Sequence, residues 1–140
     1  MNIDHPKINY GKTGVLIINL GTPDSTSWLD IRKYLKEFSS DRRVIEVNPI
    51  LWQIILNVFI LNLRPSKTAK AYKEIWMNKE NVSPLLYYTQ KQAEKVRNIM
   101  SNEKLIIDFA MRYGNPSIKS KIKKLHDDGC ENLIILPLYP

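Results

Sequence analysis

Three stretches follow one another almost without interruption near the end of the chain: KLIIDFAM (104–111), NPSIKSKIKKLHDD (115–128) and NLIILPLY (132–139). The first and third are apolar runs of strand length, and the middle one places Ile118, Ile122 and Leu125 on one helical face. Together they form a βαβ unit. Strands joined through a helix run parallel, and the crossover is expected to be right-handed. Gly129 falls where a helix C-terminus needs a left-handed residue. Leu133–Leu136 is an unbroken apolar run, which reads as a strand buried on both faces.

The same alternation extends upstream. TGVLIINL (13–20) reads as a buried strand that breaks at GTPDSTS, where Ser27 with Asp30 three residues on suggests a helix cap. Trp28, Ile31, Leu35 and Phe38 then recur at helical spacing. RRVIEVNP (42–49) reads as a short extended piece. Pro65 is placed to open a helix through SKTAKAYKEIW, and Ser83 with Pro84 opens another that runs to about Met100. The expected fold class is therefore α/β, a parallel sheet with helices on both faces.

The segment NPILWQIILNVFILNL (48–63) is strongly apolar, but Gln53, Asn57 and Asn62 interrupt it and it is shorter than the ~20 residues of a membrane-spanning helix. Gln53 and Asn57 lie one helical turn apart and leave a wide apolar face. The reading adopted is a core helix, with an exposed apolar lip or membrane-contacting surface as the alternative.

A net charge of +7 favours a partner with negative charge: nucleic acid, an anionic membrane surface or a carboxylate-bearing small molecule. A solvated basic surface accounts for the charge equally well. Cys130 is the only cysteine, which excludes an intrachain disulfide framework and a four-cysteine metal site. The polar N-terminus lacks the apolar segment of a secretory signal, so a cytoplasmic location is expected.

Chemistry in open α/β folds collects where strands end. Three such places are NLGTP (19–23), MRYGNP (111–116) and LYP (138–140). NLGTP has a single glycine, and Pro23 and Asp24 remove a donor and add negative charge, so a phosphate cradle is disfavoured. Arg112 and Tyr113 leave their strand side by side and should point to opposite faces. Arg112 could grip a carboxylate through two hydrogen bonds, or pair with a nearby acid such as Asp108. Tyr139 could line a cleft or cap the core. Arg64, Lys67, Lys70 and Lys73 gather along one helix, as a carboxylate clamp with Tyr72 two turns on or as a solvated face. His5 and His126 have no neighbouring ligand pattern and read as surface histidines.

GVLIINLGTPDS, RPSKTAKAYKEIW, SPLLYYTQKQAEKV, FAMRYGNPSI and LPLYP, in this order and nearly these spacings, resemble the ferrochelatases. The resemblance covers Thr13 to Pro140. It implies a two-lobed α/β enzyme that inserts Fe2+ into protoporphyrin IX at the end of haem synthesis, with the porphyrin in the cleft between lobes. Residues 1–12 then form a mobile N-terminus, and 13–140 the first lobe, truncated before the second. The catalytic histidine and glutamate of the family are expected beyond Pro140, with no catalytic residue, metal site or permanently bound cofactor in this chain.

By the same resemblance, Leu20 lies against the macrocycle, and an aliphatic residue there looks like the protoporphyrin-using branch. Tyr34, Leu35 and Phe38 match the apolar lip. Arg64, Lys67 and Ser83 match propionate contacts, with Tyr72 beside them. Arg112 and Tyr113 match the cleft floor, and Tyr139 a cleft tyrosine. The loop before Ser83 reads MNKENVSP where many members carry glycines. The partners implied are the porphyrin, the second lobe and peripheral membrane contact through the lip, without nucleic acid. The chain alone is expected to be inactive and, with its lip exposed, to self-associate. Two other readings remain: a stand-alone porphyrin- or haem-binding lobe, and a small α/β nucleotide-binding module.

Overall fold

Strand β1 (Lys12–Thr22) alternates its side chains between two apolar faces, and that alternation organises everything around it. The structure, a computed structural model, describes residues 11–44, 48–100 and 102–139. β1 is the middle strand of a three-stranded parallel sheet, flanked by β2 (Leu105–Gly114) and β3 (Cys130–Pro137) in the order β2-β1-β3. Leu16 and Ile18 of β1 join Ala110 of β2 and Leu125 of helix α5 (Ile118–Asp127) in one buried cluster. Ile17 and Ile107 point the other way and meet Ala93 of helix α4 (Pro84–Ile99). The expected α/β fold, with helices on both faces, is observed.

Local signals explain the helix ends. Ser27 caps α1 (Trp28–Ser40), its hydroxyl accepting from Asp30 N–H at 3.2 Å. Ser83 caps α4 by accepting from Leu86 N–H at 3.2 Å, with Pro84 at the first helical position. Gly129 adopts φ +86° just after α5, as its placement predicts.

Three readings are corrected. The strand at Leu133–Leu136 is not buried: Ile134 is 54% exposed, and its three neighbours are similar. β3 is an edge strand, paired only with β1 among the described residues and packed mainly by α5. β2 and β3 are parallel, as expected, with β1 between them. The core-helix reading of 48–63 also fails. Helix α2 (Pro49–Ile55), a wide π-helical turn (Leu56–Ile60) and helix α3 (Leu61–Ile75) bury only Leu56 and Leu61 of that segment. Ile50, Leu51, Ile54, Val58, Phe59 and Leu63 are all more than half exposed.

Pro65 does not open a helix but sits inside α3. Its ring and missing N–H conflict with the carbonyl one turn back, and the wide turn directly upstream is where the ladder adjusts. Finally, the extended piece at 42–49 falls partly on 45–47, outside the described residues. Arg42–Val44 form a turn closed by Val44 N–H to the Asp41 carbonyl at 3.0 Å, and Asn48 caps α2.

Candidate ligand cleft

The C-terminal ends of β1 and β2 are brought together by two glycines whose positions leave no room for a side chain. A Cβ on Gly21 would lie 1.9 Å from the Tyr113 carbonyl oxygen, and one on Gly114 2.4 Å from that of Thr22. Both also have positive φ. The glycine of NLGTP therefore serves close strand approach and not a phosphate cradle, which counts against the nucleotide-binding reading.

Two depressions open at these strand ends. The first, of about 510 Å³, lies between β1, α3 and the start of α4; its walls include Asn19, Tyr72, Ile75, Ser83, Leu85 and Tyr88. The Asn19 side chain is held in place, donating to Thr89 Oγ1 at 3.0 Å while its own oxygen accepts from Leu20 N–H at 2.8 Å. The second is a shallow groove of about 540 Å³ lined by Glu37, Asp41, Arg42, Arg43, Arg112 and Tyr113.

An aromatic row connects the two. From the groove it runs Tyr113–Phe38 (5.2 Å between centroids), Phe38–Tyr34 (6.2 Å), Tyr34–Tyr72 (6.4 Å) and Tyr72–Trp76 (6.4 Å). Three of these contacts are edge-to-face, the favourable arrangement for ring quadrupoles. Burial and the neighbouring Tyr72 push the Tyr34 phenol well above its ordinary range, so its hydroxyl keeps its proton.

Of the residues singled out in the sequence, Tyr34, Phe38, Tyr72, Ser83, Arg112 and Tyr113 fall on this row or on the walls of the two depressions. Tyr34, Leu35 and Phe38, matched to a lip, are half-buried. Leu20 is exposed beside the first cleft, at the end of β1. Arg64 and Lys67 are exposed on α3, outside both depressions, and make no ion pair among the described residues. Tyr139 packs against the α5-side core cluster. His126 is exposed at the end of α5, and His5 lies outside the described residues.

Arg112 and Tyr113 do not diverge as strand alternation predicts. Arg112 folds its guanidinium over the Tyr113 ring, 4.9 Å from the centroid, and both side chains reach the Asp41 carboxylate. Arg112 is thus paired with an acid, but the acid is Asp41. Asp108 is held instead by Lys121, at 2.7 Å. Glu37 adds a second stitch, accepting from Gly114 N–H at 3.0 Å. Asp41 and Glu37 were not singled out in the sequence. A polar residue after a helix and a glutamate on its exposed side carry no local mark of a long-range contact.

The Arg43 backbone N–H, then the Tyr113 hydroxyl and the nearby arginines, hold the Asp41 carboxyl below the usual carboxylate range. Burial first, then the Asp41 hydrogen bond, raises the Tyr113 phenol. A carboxylate depressed by folding contributes stability above its unfolded value of about 3.9 and loses it as pH falls through the folded value. Below pH about 4 the stitch between α1 and β2 is therefore expected to loosen. Acid titration of wild type beside Asp41→Asn checks this: the variant's stability should fall less steeply across that window.

No group of three metal-ligating side chains occurs among the described residues, and no helix there is long and apolar enough to cross a membrane. The geometry thus joins two depressions by a row of aromatic side chains, with hydroxyl-bearing residues at one and arginines at the other.

The chain matches the family model described as Ferrochelatase over residues 12–140. It is 51% identical over 138 residues to the ferrochelatase of Allorhizobium ampelinum, covering 98% of this chain and 40% of that protein. It is 54% identical over 131 residues to that of Francisella tularensis subsp. holarctica, covering 94% and 39%. This chain belongs to the ferrochelatase family. It spans about two fifths of the length of the curated relatives it matches.

Proposed function

We propose that the chain is the first lobe of an enzyme, a lyase by class, that inserts Fe2+ into protoporphyrin IX to give protohaem. The observation that carries this reading is the aromatic row between hydroxyl-lined cleft and arginine-lined groove, in a chain of this family. A porphyrin offers a broad apolar face to such a wall and two propionates to its margins. By the family resemblance, Ser83 on the cleft wall and Arg64 and Lys67 on the exposed surface of α3 hold the propionates, Leu20 and Tyr34 with Leu35 and Phe38 meet the macrocycle, and Tyr139 adds to the cleft. Fe2+ and protoporphyrin are substrates; no cofactor is held permanently.

Insertion requires the ring to bend so that its nitrogens face the metal, at a cost of about 1–5 kcal/mol drawn from binding the remainder of the macrocycle. One wall cannot bend a ring. The opposing wall, with the histidine and glutamate that remove pyrrole protons, is supplied by a second lobe corresponding to the remaining length of the relatives. The exposed apolar strip of β3 supports a partner on that side. The exposed apolar face of α2, the wide turn and α3, bordered by Arg42, Arg43 and Arg64, supports peripheral contact with a membrane from the cytoplasmic side.

The test is metal insertion followed by loss of free-porphyrin absorbance. The chain alone is expected to match the buffer control. Mixed with the complementary remainder of a curated relative, it should exceed that control by orders of magnitude. Insertion by the chain alone would contradict the two-wall requirement, and an inert mixture would contradict the enzymatic reading.

A further inference from the structure

The geometry points to Asp41 as a positioning residue that sets the hydrogen-bonding character of the Arg112–Tyr113 pair toward the ligand. This rests on the porphyrin-binding reading and adds a residue to it. Asp41 ends α1, where its own backbone N–H donates to the Phe38 carbonyl, so its place is fixed by the helix that carries Tyr34 and Phe38. One carboxylate oxygen accepts from the Arg43 N–H at 2.9 Å. The other accepts from the Tyr113 hydroxyl at 3.0 Å and from Arg112 Nη2.

The consequences differ for the two partners. A guanidinium has five N–H donors, and Asp41 receives the only hydrogen bond that Arg112 makes among the described residues. Four donors remain on a side chain that lines the groove and stacks on Tyr113. Tyr113, by contrast, commits its only proton to Asp41. Its oxygen is left as an acceptor. A donor set and an acceptor thus stand side by side at the end of the aromatic row, where a porphyrin carries both N–H groups and acceptors. Without Asp41 the phenol proton is released and Arg112 has no anchor: the acceptor becomes a donor and the donor set loses its direction. Glu37, which accepts from Gly114 N–H, makes no hydrogen bond to Arg112 or Tyr113 among the described residues.

The test is mesoporphyrin binding by absorbance, using the full chain with Asp41→Leu, Asp41→Asn, the Arg112→Met, Tyr113→Phe double variant, and that double variant combined with each Asp41 substitution. Asp41→Leu is expected to weaken binding about tenfold and to shift the bound absorption band. Asp41→Asn, which keeps an acceptor, should weaken it about two- to threefold. The decisive readout is coupling: in the Arg112→Met, Tyr113→Phe background, either Asp41 substitution should leave affinity unchanged. Loss of fold stability alone would not produce that pattern. If Asp41→Leu does not fold, Asp41→Asn in the wild-type chain and in that double-variant background decides the matter. Additive effects, or an unchanged affinity in Asp41→Leu, would overturn the role of Asp41 while leaving porphyrin binding intact. No binding by the wild-type chain would overturn the binding reading itself and this role with it.

Discussion

Gly21→Ala is expected to destabilise the fold by roughly 3–5 kcal/mol, a large part of the about 5–15 kcal/mol that holds a typical domain. Two costs combine. At φ +120° an L-residue is strained, and the added Cβ would sit 1.9 Å from the Tyr113 carbonyl oxygen. That oxygen belongs to backbone, so no rotamer change relieves the overlap. The strands must separate where Gly21 pairs with Tyr113 and Thr22 with Gly114, the rungs beside the Arg112–Tyr113 groove. Gly129→Ala provides the control: φ is +86°, but nothing lies within 4 Å of the new Cβ. It should cost only the conformational term, about 1–2 kcal/mol. Denaturant midpoints for the two variants would separate strain from overlap. Equal losses would show that the strand ends can part without penalty.

The second large effect is at Asp108. Its side chain is 10% exposed and accepts Lys121 Nζ at 2.9 and 2.7 Å, with Lys121 itself 19% exposed. The same carboxylate accepts from Phe109 N–H at 2.8 Å. Removing one member leaves a poorly solvated charge, so Asp108→Ala is expected to cost about 3–5 kcal/mol. Removing both charges with residues of similar size, Asp108→Leu with Lys121→Met, should recover most of that loss. The asymmetry arises because the pair offsets a desolvation cost that two apolar residues never incur. Lys124, 3.9 Å from the same carboxylate but 62% exposed, has its ammonium hydrated and should contribute little. A double variant as unstable as Asp108→Ala would mean that Asp108 matters through its backbone contact instead.

How much of this was readable without coordinates varies by residue. Strands β1 and β2 and the caps at Ser27 and Ser83 were legible because periodicity and capping are local. The exposure of β3 was not: four apolar residues in a row look the same in the middle of a sheet and at its edge. The segment 48–63 failed for a related reason, since an apolar face shows that something should cover it without saying whether this chain supplies the cover. Pro65 misled because its preference for a first helical position gave way to a wide turn that let the helix pass through it. Within the site, side-chain types at strand ends identified Arg112 and Tyr113. Asp41 lies 71 residues from Arg112 in sequence and could be found only when α1 was laid against β2. Arg64 and Lys67 pose the opposite case. Their role as a clamp comes from family resemblance, while they stand exposed and outside both depressions.

That contrast makes an absorbance titration of solubilised mesoporphyrin, wild type beside Arg64→Ala, the most direct test of the central claim that this chain forms a porphyrin-binding wall. The account predicts a saturable spectral change that weakens about tenfold in the variant, the effect of losing one charge-assisted contact to a propionate. Spectra that do not change with either protein would contradict it.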